Sequence, residues 1–431
     1  MVFSELIKNC PLDLLLLVAG ERRLTAQAIN KRIEEIREQH IPCGARIALE
    51  VDDHCEALTW MVALDGLVSS VFLVPKPLKQ SSGYSELKRQ AKCTHAISDK
   101  KILKLPHSPN DLDYTDETEW LLATSGTTGT PKLITHSKQS LARTCKTNFT
   151  TGRMFTWGLV YDPFRFAGLQ VVLQALHSQS TLVMCNLDAG INQIIDELRA
   201  GSVNALSATP SFWRKLLMSS KASSLSLRQI TLGGEPVDQS ILDALKHTFP
   251  QAKITHIYAS TEIGVGFAVK DGQAGFPSDF LNQKFSAGKL KISDDGRLLI
   301  EIQNTTSADS TFEIVDTGDL VERKGDRFYF LGRDSGAINV GGNKVIPEMV
   351  ESIIRQLPEV AEVVVKPKRN SVLGQLVTAE IVANTTELSH VQLKEKIVAH
   401  CKAGLETYQV PALIKFVDEI VVNPTGKISR I

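Results

Sequence analysis

The chain has 431 residues, 43% hydrophobic and 22% charged, the balance of an ordinary folded protein rather than a disordered one. Its 48 basic and 48 acidic side chains cancel, which argues against a nucleic-acid partner or a membrane surface, since both call for a basic excess. The seven cysteines form no CxxC pair, so neither a disulfide framework nor a structural zinc site is expected, and a reducing cytoplasm is the expected compartment.

At roughly 150 residues per domain, two to three domains are expected. The longest apolar runs, 14–20 and 68–75, fall far short of the roughly 20 residues a membrane helix needs, so no membrane insertion is expected. Residues 1–10 lack a basic stretch, and no signal peptide is expected.

Along the chain, Thr25 can cap a helix whose apolar positions Ile29, Ile33 and Ile36 recur at helical spacing. Residues 46–51 read as a strand, 56–67 as a helix, and 71–74 as a short buried strand ending at Pro75. The alternation continues through strands at 181–184, 203–207, 229–232 and 254–258, with helices such as 191–200 and 239–249 between them. This predicts a layered α/β body. Beyond about residue 285 the texture changes to short strands at 289–292, 298–302 and 328–331, separated by turn signals such as Asp294-Asp295-Gly296. The final hundred residues read as a small α+β unit, with helices at 347–357 and 390–402 and strands at 360–365, 376–382 and 413–417. The polar, glycine-containing segment 332–336 is the expected junction, giving domains 1–333 and 334–431.

The most informative segment is Thr124-Ser125-Gly126-Thr127-Thr128-Gly129-Thr130-Pro131-Lys132, which follows an apolar stretch at 120–123. Small residues let backbone amides approach a polyanion, hydroxyls add donors, and Lys132 adds positive charge. The string reads as a phosphate-gripping loop rather than an ordinary flexible one. It is not a Walker A loop, because no Gly-Lys-Ser/Thr closes it.

This loop resembles that of the adenylate-forming, or AMP-binding, superfamily of acyl- and aryl-CoA synthetases, adenylation domains and luciferases. Further segments resemble the superfamily's other motifs in the same order. They are Gly233-Gly234-Glu235-Pro236, Tyr258-Ala259-Ser260-Thr261-Glu262 and Asp316-Thr317-Gly318-Asp319. Gly332-Arg333 follows, continuing through Ile338, Gly341-Gly342, Lys344, Pro347 and Glu351, and Pro424-Thr425-Gly426-Lys427-Ile428-Ser429-Arg430 closes the series. Each motif alone is weak; six in order are specific. The resemblance implies a large multi-layer α/β adenylating domain, followed by a small mobile α+β domain that carries the catalytic lysine.

It also implies roles. A carboxylate must attack the α-phosphate of ATP, so two anions must meet and charge must be neutralised. Mg²⁺ bridging phosphate oxygens is the expected ion, with Glu262 its protein carboxylate. Thr261 is expected on the α-phosphate, Gly234, Glu235, Pro236 and Tyr258 to Ser260 along the nucleotide, Asp319 on the ribose hydroxyls and Arg333 on ribose or phosphate. Lys427 is the expected bridge between attacking carboxylate and departing phosphate. In a second half-reaction the small domain is expected to rotate, withdrawing Lys427 and presenting the Gly341-Gly342 face to an incoming thiol.

The chain departs from the family pattern in three places. The pivot, usually Asp or Lys, is Ser335, followed by Gly336. Beside the expected acyl pocket the sequence reads Asp162-Pro163-Phe164-Arg165-Phe166-Ala167-Gly168, with Arg165 where His or an aromatic is usual. Either Arg165 faces a polar or acidic group on the substrate, or it pairs with a carboxylate such as Asp162 or points outward. Phe164, Phe166 and Leu169 either line the pocket or pack the core. Third, the region before the phosphate loop is compact, as in synthetases for small acids. The expected activity is ATP-dependent ligation of a carboxylic acid to a thiol through acyl-AMP, with CoA as acceptor. Loading of a free-standing phosphopantetheinyl carrier protein and a non-catalytic nucleotide-binding homologue are the alternatives. No fused carrier domain is expected, since the sequence stops at Ile431.

Overall fold

The computed structural model describes residues 3–98, 101–106, 117–124, 132–304, 311–384 and 388–420. The chain divides into two compact units. The first comprises residues 1–208, 216–234 and 245–268, and the second 209–215, 235–244 and 269–431.

The first unit is built on two sheets. One has eight strands in the order Gly264–Val269, Lys253–Ser260, Gln229–Gly233, Ala205–Ala208, Thr156–Leu159, Thr181–Met184, Leu15–Ala19 and Arg22–Thr25. From Lys253–Ser260 to Leu15–Ala19 every pairing is parallel. The other sheet has six strands, with Lys101–Lys104 and Leu133–His136 antiparallel at its edges. Its inner strands are Arg46–Leu49, Ser70–Leu73, His95–Ser98 and Glu119–Ala123.

Side chains alternate across a strand, and here both faces are covered. Ile47, Leu49, Val71, Leu73, Trp120 and Leu122 point into the main core with Trp60 and Phe164. Ala48, Phe72, Leu121 and Ala123 point the opposite way, into a smaller cluster with Tyr84 and Leu87. This explains why the strands read as continuous apolar runs. Helix Ala26–Arg37 forms as its spacing predicts: Thr25 Oγ1 accepts from the Ala28 amide at 3.3 Å, and Ile29, Ile33 and Ile36 are buried.

The second unit holds an antiparallel meander in the order Phe276–Pro277, Arg327–Arg333, Thr311–Lys324, Arg297–Asn304 and Lys289–Ile292. A further sheet contains Asn343–Val345, Ile338–Val340, Gly374–Ala383 and Val360–Asn370, with Leu413–Phe416 parallel to Gly374–Ala383. Helices Pro347–Ile354 and His390–Gly404 cover it, burying Val350, Ile354, Leu393, Ile397 and Cys401 against Val363, Val365, Val377 and Ile381.

The expected elements are present with shifted ends. The helix expected at 56–67 runs His54–Leu64, started by Asp53, whose carboxylate accepts from the Cys55 and Glu56 amides. The strand expected at 328–331 extends over Arg327–Arg333. Thr311–Lys324 is a strand that the sequence reading did not predict. Its Thr317-Gly318-Asp319 turn chemistry hides the extended pattern, and the ladder with Arg297–Asn304 accommodates it by slipping register between Arg297 and Leu299, which pair with Leu320 and Asp316.

Candidate active site

In the first unit, candidate residues stand at the carboxyl ends of parallel strands, where open α/β sheets place ligands. Thr124 follows strand Glu119–Ala123, and its amide donates to the Lys132 carbonyl at 2.8 Å. That bond closes the base of the phosphate-loop segment. Ser125, Gly126, Thr127, Thr128 and Gly129 lie outside the described residues.

Tyr258, Ala259 and Ser260 end the strand Lys253–Ser260. The Tyr258 ring stacks on Phe267, centroids 5.2 Å apart. Ser260 Oγ accepts from the Ile263 amide at 3.3 Å, closing a turn that carries Thr261 half-buried and Glu262 exposed. An exposed carboxylate at a strand end suits a cation whose other ligands are phosphate oxygens and water.

His136 also belongs to this surface, and sequence reading missed it. It is buried at the end of strand Leu133–His136 and stacks obliquely on Phe166 at 5.9 Å. Burial pushes its imidazole below the ordinary histidine range, partly offset by the Thr261 backbone and the Glu262 carboxylate. A polar residue ending the strand that leaves the phosphate loop was the available signal.

In the second unit, Glu235 Oε2 accepts from the Ser211 amide at 2.9 Å and from Ser211 Oγ at 2.7 Å, fixing the start of helix Pro210–Leu217. Gly234, the last residue of the first unit's segment 216–234, precedes it in the chain in a left-handed conformation, φ +82°. Pro236 follows. Asp319 is 9% exposed and stands opposite Arg333 in the antiparallel ladder. Arg333 Nε donates to Asp319 Oδ1 at 3.0 Å. The turn before it is fastened by Gly318 N donating to Asp316 Oδ1 at 2.8 Å and Thr317 Oγ1 donating to the Leu298 carbonyl at 2.7 Å.

Ser335 lies in the short turn Asp334–Gly336. Its neighbour Asp334 accepts from Lys344 Nζ at 2.8 Å and Arg297 Nη2 at 2.6 Å, and these two bonds hold its carboxyl below the usual range. Gly341 and Gly342 form the tight turn between Ile338–Val340 and Asn343–Val345, with φ of +59° and +91°. Lys427 lies outside the described residues.

Around the expected acyl pocket the residues separate. Phe164 is 2% exposed and packs in the main core, as does Leu169. Phe166 is half-buried against His136. Asp162 turns inward, its Oδ1 accepting from the Phe164 amide at 2.9 Å. Among the described residues Arg165 makes no ion pair, and its Nε is buried without a partner. Burial lowers its basicity, with Asp162 opposing.

Residues 23–296 match the AMP-binding enzyme family, and residues 349–427 match the AMP-binding enzyme C-terminal domain. The chain belongs to the AMP-binding enzyme family. Among relatives of this AMP-binding enzyme, the 2-succinylbenzoate–CoA ligase of Lactococcus lactis subsp. lactis (strain IL1403) is 25% identical over 94% of both chains. The long-chain-fatty-acid–CoA ligase FadD13 of Mycobacterium tuberculosis (strain ATCC 25618 / H37Rv) is 27% identical over 73% of this chain and 67% of its own. The anthranilate CoA ligase AuaEII, solved with anthranoyl-AMP, has TM-score 0.76 at 18% identity, covering 99% of this chain and 95% of its own. The o-succinylbenzoate CoA synthetase of Bacillus subtilis, solved with ATP and magnesium ion, has TM-score 0.69 at 18% identity, covering 99% and 98%. These two structures share this AMP-binding enzyme's fold, a larger N-terminal domain followed by a smaller C-terminal one.

Proposed function

We propose that the chain is an AMP-forming acid–CoA ligase whose acid is a small aromatic acid carrying a second carboxylate. In the first half-reaction a carboxylate oxygen attacks the α-phosphorus of ATP, the bond to the β-phosphate oxygen breaks, and pyrophosphate leaves. In the second, the CoA sulfur attacks the acyl carbonyl, the carbon–oxygen bond to AMP breaks, and the thiol proton goes to base. The observation that carries this reading is the match, end to end, to a 2-succinylbenzoate–CoA ligase.

The residues fit these steps. The Thr261 hydroxyl donates to the α-phosphate, and the loop amides of residues 124–132 grip the other phosphates. Glu262 is the carboxylate that would hold Mg²⁺, which when bound neutralises phosphate charge. Asp319, oriented by Arg333, accepts from the ribose, and Gly234, Glu235, Pro236 and Tyr258 to Ser260 lie along the nucleotide. Lys427 bridges the reacting anions. Arg165 and Phe166 form the acyl side, whereas Phe164, expected there too, is taken up by the main core.

The functional division is placed between residues 333 and 334, with Ser335 as pivot and Gly341-Gly342 as the thiol-approach face. It falls in the interval between the two family matches, 297–348. Among the described residues no helix is long and apolar enough to cross a membrane. The cytoplasm is the proposed compartment, in keeping with seven cysteines that form no disulfide.

Pyrophosphate exchange with a panel of aromatic and alkyl acids tests the activation step. Thioester formation with CoA, beside a free-standing carrier protein, tests the acceptor. Exchange with an aromatic diacid and transfer to CoA are expected. No exchange with any acid would overturn the catalytic reading, and transfer only to carrier protein would replace CoA.

A further inference from the structure

An acid with a second carboxylate needs a cation beside the acyl pocket, and two arginines are near Phe166. We propose that Arg143, rather than Arg165, receives the second anionic group of the substrate. This rests on the proposed acid class and names the residue that selects it.

Arg143 ends the short helix Lys138–Ala142. Its Nη2 donates to the Ile263 carbonyl at 2.9 Å, which anchors the guanidinium beside the strand that begins at Gly264. A Cβ placed on Gly264 would lie 3.2 Å from Arg143 Nη2 and 3.9 Å from Phe166 Cζ. The guanidinium, the Phe166 edge and the bare backbone of Gly264 therefore border one spot. Gly264 has φ +78°, so both its conformation and its missing side chain keep that spot clear. Glu262 is two residues away in the chain, on the turn assigned to the phosphate side.

The charge balance separates the two arginines. Asp162 opposes the loss of basicity at Arg165, so that cation already has a carboxylate in its field. Arg143 has no carboxylate partner among the described residues, and burial alone lowers its basicity. The nearby titratable group is His136, which Arg143 helps to keep neutral. The residue is nonetheless exposed, so an incoming group can reach it. A cation anchored by one hydrogen bond, short of a counter-ion and reachable from outside, keeps several donors for a bidentate carboxylate. The proposed ligand is a carboxylate on the acyl substrate, distinct from the one that is adenylated.

The test compares 2-succinylbenzoate, which has one carboxylate on the ring and one at the end of its side chain, with its two monomethyl esters. The ester that still supports exchange keeps the adenylated carboxylate and lacks only the second anion, and it is the monoacid of the comparison. Pyrophosphate exchange gives kcat/KM for each acid in the wild type, Arg143→Gln, Arg143→Lys and Arg165→Gln, with melting curves for all four. The diacid-to-monoacid ratio is expected to fall about tenfold or more in Arg143→Gln, as for loss of a charge-assisted hydrogen bond. Arg143→Lys should recover part of it, and Arg165→Gln should change both acids alike. A ratio that survives Arg143→Gln while the wild type prefers the diacid overturns the assignment and leaves the acid class standing. A wild type that prefers the monoacid overturns the acid class and the assignment with it. If Arg143→Gln melts early, the Arg143→Lys ratio decides: a diacid preference reduced below wild type supports the bidentate contact, and one equal to wild type overturns the assignment.

Discussion

Arg333 donates through Nε to Asp319 Oδ1 at 3.0 Å, from directly across the antiparallel ladder. The carboxylate is nearly buried while the guanidinium is half exposed, with side-chain exposures of 12% and 46%. The pair therefore orients a carboxylate within the central strand of the meander, and Arg333 remains reachable by a ligand.

Asp319→Ala is expected to weaken ATP use by about 1.5–3 kcal/mol, the worth of a hydrogen bond to a charged group. Arg333→Ala should have a smaller effect through lost orientation. Isothermal titration with ATP measures both, and an Asp319→Ala affinity equal to wild type would remove the residue from the nucleotide site.

Glu262→Gln is expected to raise the Mg²⁺ concentration needed for pyrophosphate exchange, because it removes a negative charge from an exposed strand-end position while keeping its shape. Titrating Mg²⁺ at fixed ATP checks this. An unchanged Mg²⁺ dependence would place the cation elsewhere.

Lys427→Ala is expected to lower acyl-AMP formation about 10²-fold or more, as for loss of a group that stabilises transition-state charge. Thioester formation from supplied acyl-AMP should survive. Equal losses in the two half-reactions, followed separately, would contradict a small domain that rotates between them.

Gly332→Ala should destabilise the fold by about 1–3 kcal/mol, the cost of a non-glycine residue in a sparsely populated backbone region. Gly332 has φ +135°, and a Cβ there would lie 2.4 Å from Glu348 Oε2 and 2.5 Å from Ile346 Cγ2. Urea unfolding reads the loss, and a stable variant would show that this junction yields easily.

Stability should fall from pH 7 to pH 5, and less steeply in His136→Gln. Burial depresses His136 in the folded state, so the unfolded chain binds the proton more readily below its ordinary pKa of about 6.5. The stabilising difference is full above that value and shrinks as pH falls through the depressed one. His54, His95 and His177 are depressed the same way, so the slope should shrink rather than vanish. Urea midpoints at the two pH values check it, and identical slopes would show that His136 titrates normally.

The motifs were legible because each carries its chemistry locally. The glycines at 318 and 341 mark turns by their backbone needs, and the order of the six segments identified the family without any contact between them. The apolar periodicity of Ile29, Ile33 and Ile36 likewise set a helix and its buried face. Strand ends were less legible, since Thr317-Gly318-Asp319 reads as a turn yet sits inside the strand Thr311–Lys324, held there by its ladder partners.

Sequence alone left Arg165 open between a substrate contact and an Asp162 pair, because neither burial nor the direction of a side chain is written in a motif. Tertiary structure turned Asp162 onto the Phe164 amide and sent Phe164 into the core. It also brought Arg143 to Ile263, 120 residues away along the chain, beside Gly264 and Phe166. A lone arginine after a short helix has no periodicity and no neighbour to mark it. Its environment comes from long-range packing, in which a strand end, a glycine and an aromatic edge from three separate segments meet around one charge.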